Sequence, residues 1–188
     1  MKKVYVVHMW GGSPNDPIYR SLKIELERNG YKVEILRMPH PDTPIIKEWV
    51  ETLRKNVPYL DEDIYFVGHS VGCQTIMRYL ETQNAIKIGG IVFLAPWFNL
   101  KGLENEESAR IADPWIKTPI DLEKFKRSTK NITAIFSDDD KFVPLSQEKI
   151  FKVRVTPNTL IVHNKGHFTE EDGITSLPEV VSALRRFK

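Results

Sequence analysis

The sequence predicts an α/β domain with a doubly wound, mostly parallel sheet of about six strands and helices on both faces. Three observations carry that expectation. Short β-branched runs alternate with longer amphipathic ones along the whole chain. Several of the short runs are continuously apolar rather than alternating, as parallel strands covered on both faces are. No internal repeat or low-complexity stretch stands out. A chain of 188 residues is the size of one domain and buries roughly 70% of its unfolded surface on folding.

The elements follow in order. Lys3–Val7 is the first strand. Residues 18–28 form a helix with Ile18, Leu22 and Leu26 on one face, stopped by Asn29-Gly30. After the strand Lys32–Leu36, residues 45–54 gather Ile45, Ile46, Trp49, Val50 and Leu53 on one helical face. Strand 64–67 leads into the helix Val71–Glu81, and strand 91–94 follows. The rhythm then breaks over residues 97–130, a polar stretch with Glu104, Glu106 and Glu107 that also holds Pro114, Trp115 and Pro119. A connection that long is structured, and it is read as a short cap-like insertion within a single domain spanning 1–188. Strand 133–136, helix 145–153, strand 159–162 and helix 177–187 complete the alternation. Arg185, Arg186 and Lys188 at the end suit the negative pole of a helix dipole.

Composition narrows the function classes. Lys and Arg number 27 against 25 Asp and Glu, a net charge of +2, so no concentrated basic surface is expected for nucleic acid or an anionic membrane. One cysteine, Cys73, makes neither an intramolecular disulfide nor a thiolate zinc site, which points to a reducing compartment, the cytoplasm. The first residues are too poor in apolar side chains for a signal-peptide core, and the longest uncharged apolar stretch, residues 89–98, is far short of a membrane span.

The chemistry concentrates at Gly68-His69-Ser70-Val71-Gly72, between a strand and a helix. A serine that must expose its oxygen above a sheet needs a sharp, strained turn, and side chains two residues to either side would collide with the flanking elements. Composition alone yields this glycine–serine–glycine spacing about 0.025 times in such a chain. Ser70 is therefore the expected nucleophile, placed at a helix N-terminus that favours developing negative charge.

A serine needs a base and an acid that orients the base, and with this turn they come later in the chain. His163 and His167 both follow the last strands. His163 continues the apolar run 160–163, whereas Gly166 allows His167 to swing back over the sheet, so His167 is the expected base. The acid belongs in Ser137-Asp138-Asp139-Asp140, after the fifth strand, and the pattern does not choose among the three aspartates. For an oxyanion hole, one backbone N–H comes from Val71 and a second from the loop after the first strand, with Trp10 preferred and Met9 the alternative. Trp97, Trp115, Phe142 and Phe168 are expected to line an apolar acyl or aryl pocket together with Trp10.

On these motifs the chain resembles the small serine hydrolases related to retinoblastoma-binding protein nine and bacterial YdeN, within the α/β-hydrolase superfamily. The resemblance adds Arg37-Met38-Pro39, Met77-Arg78-Tyr79, Leu103-Glu104-Asn105-Glu106, Ser137 to Pro144 and Gly166-His167-Phe168 to the elbow. It implies a compact α/β-hydrolase fold, a nucleophile and base at Ser70 and His167, and the acid at Asp140. The Leu-x-Cys-x-Glu pattern of pocket-protein binding is absent around Cys73, so no retinoblastoma-type partner is expected. The expected activity is hydrolysis of ester-like bonds in a small molecule through an acyl-serine, with no metal or organic cofactor, by a monomer or weak dimer. A thioesterase or peptidase with the same residues, or a catalytically silent binding module, are the alternatives.

Overall fold

A computed structural model describes residues 1–83, 86–103 and 105–187; Glu104 of the insertion and the terminal Lys188 lie outside them. In chain order the elements are β1 (Lys3–Val7), α1 (Pro17–Arg28), β2 (Lys32–Leu36), α2 (Ile46–Asn56), β3 (Ile64–His69), α3 (Val71–Glu81) and β4 (Gly90–Leu94). There follow α4 (Glu106–Lys117), α5 (Leu122–Lys126), β5 (Ile132–Ser137), α6 (Ser146–Arg154), β6 (Asn158–Val162) and α7 (Pro178–Arg186).

Among the described residues the six strands form one sheet in the order β2-β1-β3-β4-β5-β6, with every neighbouring pair parallel. The chain leaves β1 for β2 on one side and then crosses to β3 on the other. Where the winding reverses, the loops after the two strands diverge and a crevice opens at their C-terminal ends. Those loops are the ones that carry Trp10 and Ser70.

Helices α1 and α7 contact each other and cover one face, over β2, β4 and β5. On the other face α3 packs on β1 and β3, with α2 and α5 against it. Phe151 of α6 and Phe125 of α5 both meet Phe93 on that face. Every residue of α3 from Val71 to Leu80 is buried, so this helix is an inner element rather than an amphipathic cover. Its buried Arg78 explains where the insertion sits. The guanidinium donates to the carbonyls of Trp115 and Thr118 at the C-terminal end of α4, to Pro119 O, and to Gln74 Oε1. A cation at that pole meets the negative end of the helix dipole, and burial lowers its pKa.

One strand departs from expectation. Strand β6 is continuously apolar at residues 160–162, yet it lies at the sheet edge, with Leu160 and Ile161 each 39% exposed. An apolar run reports two covered faces only when neighbours exist to cover them. Among the described residues no helix is long and apolar enough to cross a membrane.

Candidate active site

The turn at the end of β3 takes the strained form expected. Ser70 sits at φ 55, ψ −118, outside the regions open to most side chains. A Cβ on Gly68 would lie 2.8 Å from Cys73 N, and one on Gly72 would overlap Val7 O, so both glycines are fixed by backbone packed against them.

Opposite the elbow, residues 163–173 form a loop held by four aspartates. Asp140 is 2% exposed; its Oδ2 accepts from His167 Nδ1 at 2.8 Å, while its Oδ1 accepts from Phe142 N and Val143 N. The Phe142 ring stands edge-on to the imidazole, with centroids 5.3 Å apart. Asp139 takes the Ser137 hydroxyl and Gly166 N, and Ser137 Oγ in turn accepts from Lys165 N. Asp138 takes Asn164 N and His163 Nδ1 at the surface. These bonds hold the Asp138 and Asp139 carboxyls below the usual carboxylate range, chiefly through His163 for the first and Ser137 for the second. Asp172 Oδ2 accepts from His167 N, Thr169 N and Thr169 Oγ1. The acidic run that the sequence leaves ambiguous is thus divided: one member holds the imidazole and two hold its loop.

The family model described as "Serine hydrolase" matches residues 4–186. The chain belongs to that family. It is 32% identical to YdeN of Bacillus subtilis strain 168 over 187 residues, covering 99% of this chain and 96% of YdeN. The crystal structure of the ydeN gene product superposes with a TM-score of 0.89, covering 100% of this chain and 98% of that one. The chain is also 26% identical to the serine hydrolase RBBP9 of Rattus norvegicus, over 74% of this chain and 70% of the rat protein. Est1E from Butyrivibrio proteoclasticus, at 16% identity and a TM-score of 0.73 over 99% of this chain and 86% of its own, shares the fold.

In this serine hydrolase, Ser70 and His167 open onto one cavity of about 320 Å³, walled by Trp10, Trp97, Phe142, Leu100 and Leu103. Leu100 and Leu103 belong to the insertion, which also contributes Ser108 to the lining. The Ser70 hydroxyl accepts from Trp97 Nε1–H at 3.2 Å, and among the described residues no hydrogen bond joins it to the His167 ring.

Two of the aromatics expected here lie elsewhere. Trp115 is buried against Trp49 of α2 and donates its indole N–H to Pro44 O. Phe168 is buried with its ring edge-on to His69. Neither lines the cavity. Both are large apolar side chains near predicted loop ends, and position along the chain does not say which way a side chain faces.

The loop after β1 is pinned almost completely. Met9 N donates to Tyr19 Oη at 3.0 Å, Gly11 N to Pro41 O, and Gly12 N to Met9 O. His8 Nε2 accepts from Met38 N, so its Nδ1 carries the proton that Met9 O accepts. Of the Met9–Gly12 amides, Trp10 N–H has no partner among the described residues; its indole N–H is engaged by Asp42 O.

His69, in the elbow, is a participant that the sequence reading missed. His167 O can only accept, so His69 Nε2 is the protonated nitrogen of the 2.8 Å bond between them. His69 Nδ1 then accepts from the Tyr19 hydroxyl at 2.8 Å, and Tyr19 Oη accepts from Met9 N. Burial, reinforced by the neighbouring His167, pushes the His69 pKa down to about 3, which keeps it neutral. A neutral chain of hydrogen bonds therefore ties the histidine loop to the loop after β1. The histidine between Gly68 and Ser70 was the signal, but its partner Tyr19 lies 50 residues away.

Proposed function

We propose that this serine hydrolase cleaves carboxylic esters of small, apolar substrates through an acyl-serine intermediate, with Ser70 as nucleophile, His167 as base and Asp140 as the acid that orients it. The buried 2.8 Å bond between Asp140 and His167, set across one cavity from the strained Ser70, is the observation that carries this reading. Asp140 holds Nδ1 protonated, which leaves Nε2 free to accept a proton.

For the attack, the Ser70 hydroxyl turns from Trp97 to His167, the tightening that catalytic hydrogen bonds undergo when substrate binds. Ser70 Oγ bonds to the ester carbon as its proton passes to His167 Nε2, and the carbonyl π pair moves onto oxygen. Val71 N–H, at the start of α3, and Trp10 N–H, the amide left free in its loop, meet that oxyanion. Collapse breaks the bond to the leaving oxygen, which takes the proton from His167. Water then attacks the acyl-serine, gives a proton to His167, and collapse returns that proton to Ser70 and releases the carboxylic acid.

The aromatic and leucine walls favour aryl or short acyl groups. One buried cysteine and no disulfide suit a cytoplasmic setting. Ser70→Ala is expected to abolish labelling by a fluorophosphonate probe and turnover of phenyl acetate; undiminished labelling overturns the assignment.

A further inference from the structure

We infer that Trp97 is a specificity-determining residue that selects oxygen esters over thioesters by donating its indole N–H to the leaving-group oxygen. The inference rests on the esterase reading above and goes beyond lining the cavity.

The indole is built into place. Trp97 is 1% exposed, and its Nε1–H has Ser70 Oγ as its partner among the described residues. The segment that carries it leaves β4 through Ala95, a non-glycine residue at φ 47 whose N–H donates to Ile135 O. Gln74 of α3 donates its Nε2 to Trp97 O, and Arg78 fixes the other end of that amide. Gln147 Oε1, from α6, accepts from Phe98 N and Asn99 N. Buried side-chain amides are costly unless bonded, and here two of them serve residues 97–99. The backbone that carries the indole is thus held on both sides, and the ring itself is buried.

The turn of the Ser70 hydroxyl to His167 has a consequence. An indole nitrogen can donate but never accept, and a buried N–H without an acceptor is destabilising. Around it the cavity wall is Leu100, Leu103, Phe142, Ser108, which makes no hydrogen bond with the indole among the described residues, and Trp10, whose own indole N–H is bound to Asp42 O. Once Ser70 Oγ has bonded to the substrate carbon it is a weaker acceptor, and a heteroatom of the substrate takes over the indole N–H. The atoms that arrive beside Ser70 Oγ are those bonded to the carbon under attack. Its carbonyl oxygen is drawn to Val71 N–H and Trp10 N–H, which leaves the heteroatom of the leaving group for Trp97. The bridging oxygen of an ester is a weak acceptor while the ester is intact but a strong one once it carries charge, whereas divalent sulfur accepts weakly. As the C–O bond breaks, charge grows on that oxygen, so the bond strengthens toward the transition state and raises kcat more than it lowers KM.

The test compares phenyl acetate with S-phenyl thioacetate, which share acyl and aryl groups and differ in one atom, on the full chain. Trp97→Phe is expected to lower kcat/KM for the oxygen ester about tenfold, mainly in kcat, and for the thioester less than about twofold. The preference for oxygen over sulfur thus shrinks at least about fivefold. Because Phe is smaller and could pack poorly, replacement of Trp97 by benzothienylalanine keeps the ring volume and removes only the N–H; it is expected to give the same shift. Equal losses on both substrates, or an unchanged preference in the benzothienylalanine protein, overturn the role of Trp97. Wild-type protein that fails to label at Ser70 overturns the esterase reading instead, so the two failures are distinguishable.

Discussion

Around Ser70 the backbone has nowhere to go: a Cβ on Gly68 would stand 2.8 Å from Cys73 N, one on Gly72 would overlap Val7 O, and α3 behind them is buried on all sides. Around His167 comparable order comes from carboxylates. Asp139 and Asp138 take the amides of Gly166 and Asn164, Asp172 takes that of His167, and Asp140 takes the imidazole. Steric confinement is all-or-none and blind to pH and salt, because overlapping atoms cannot be screened. Hydrogen bonds to charge are graded, since each can be lost separately. The proposed nucleophile is thus set by shape and the proposed base by charge, and His69 joins the two regions through His167 O.

Breaking the steric side gives the largest effect expected. Gly72→Ala forces a methyl group into the carbonyls that end β1, and a clash with backbone cannot be relieved by a rotamer change. It is expected to cost about 4 kcal/mol or more and to eliminate ester turnover, measured by urea unfolding and phenyl acetate hydrolysis. A variant of near wild-type stability would refute steric control of the elbow.

Next comes acid, acting on the residue that joins the regions. Folded His69 titrates at about 3 against 6.5 for the ordinary side chain, so the unfolded chain binds the extra proton between those values. The stability this group contributes is present above pH 6.5 and is lost as pH falls toward 3, at about 2 kcal/mol between pH 7 and pH 5. Asp138 and Asp139, whose pKa values are lowered, remain charged across that window and do not add to the slope. His8, lowered by burial, adds in the same direction. Urea unfolding at several pH values should show the loss, and His69→Gln should flatten part of it; an identical slope in the variant would contradict the neutral, buried state of His69.

Asp172→Ala tests the charge-held side. It removes the acceptor of two amides and a hydroxyl, and is expected to cost about 1.5 kcal/mol and to reduce kcat about tenfold with KM little changed. An effect on KM alone would mean that Asp172 does not position the base. The smallest effect belongs to Asp138→Asn, which loses the exposed carboxylate bonded to His163 Nδ1 but keeps an acceptor for Asn164 N: stability to urea stays near wild type, and activity within about twofold.

Legibility in the sequence followed the same division. The elbow could be read directly, because glycines flanking a strained serine are a local requirement, and the strand and helix around it have clear periodicities. The preference for His167 over His163 also came from local chemistry, since Gly166 permits the return and His163 ends at the exposed surface, paired with Asp138. By contrast, the pattern of three aspartates could not say which one meets an imidazole 27 residues further on. Trp115 and Phe168 had the composition of pocket walls but turned into the core, because the facing of a side chain depends on elements remote in sequence. The apolar β6 was expected as a strand, but its exposed edge position was not.

What the residues dictate alone is whatever a few neighbours settle among themselves: strand and helix by period, the sharp turn by missing Cβ atoms, and the class of chemistry by a serine forced to expose its oxygen. What required the tertiary structure is everything decided by adjacency across the sheet. Placing β1 beside β3 brought Met9 and Tyr19 to His69, which left Trp10 as the free amide of its loop, and β4 brought Trp97 to Ser70. The physical reason is range: sterics and periodicity act over a few residues of chain, whereas hydrogen bonds between side chains 50 or more positions apart exist only once the fold has brought them within 3 Å or so.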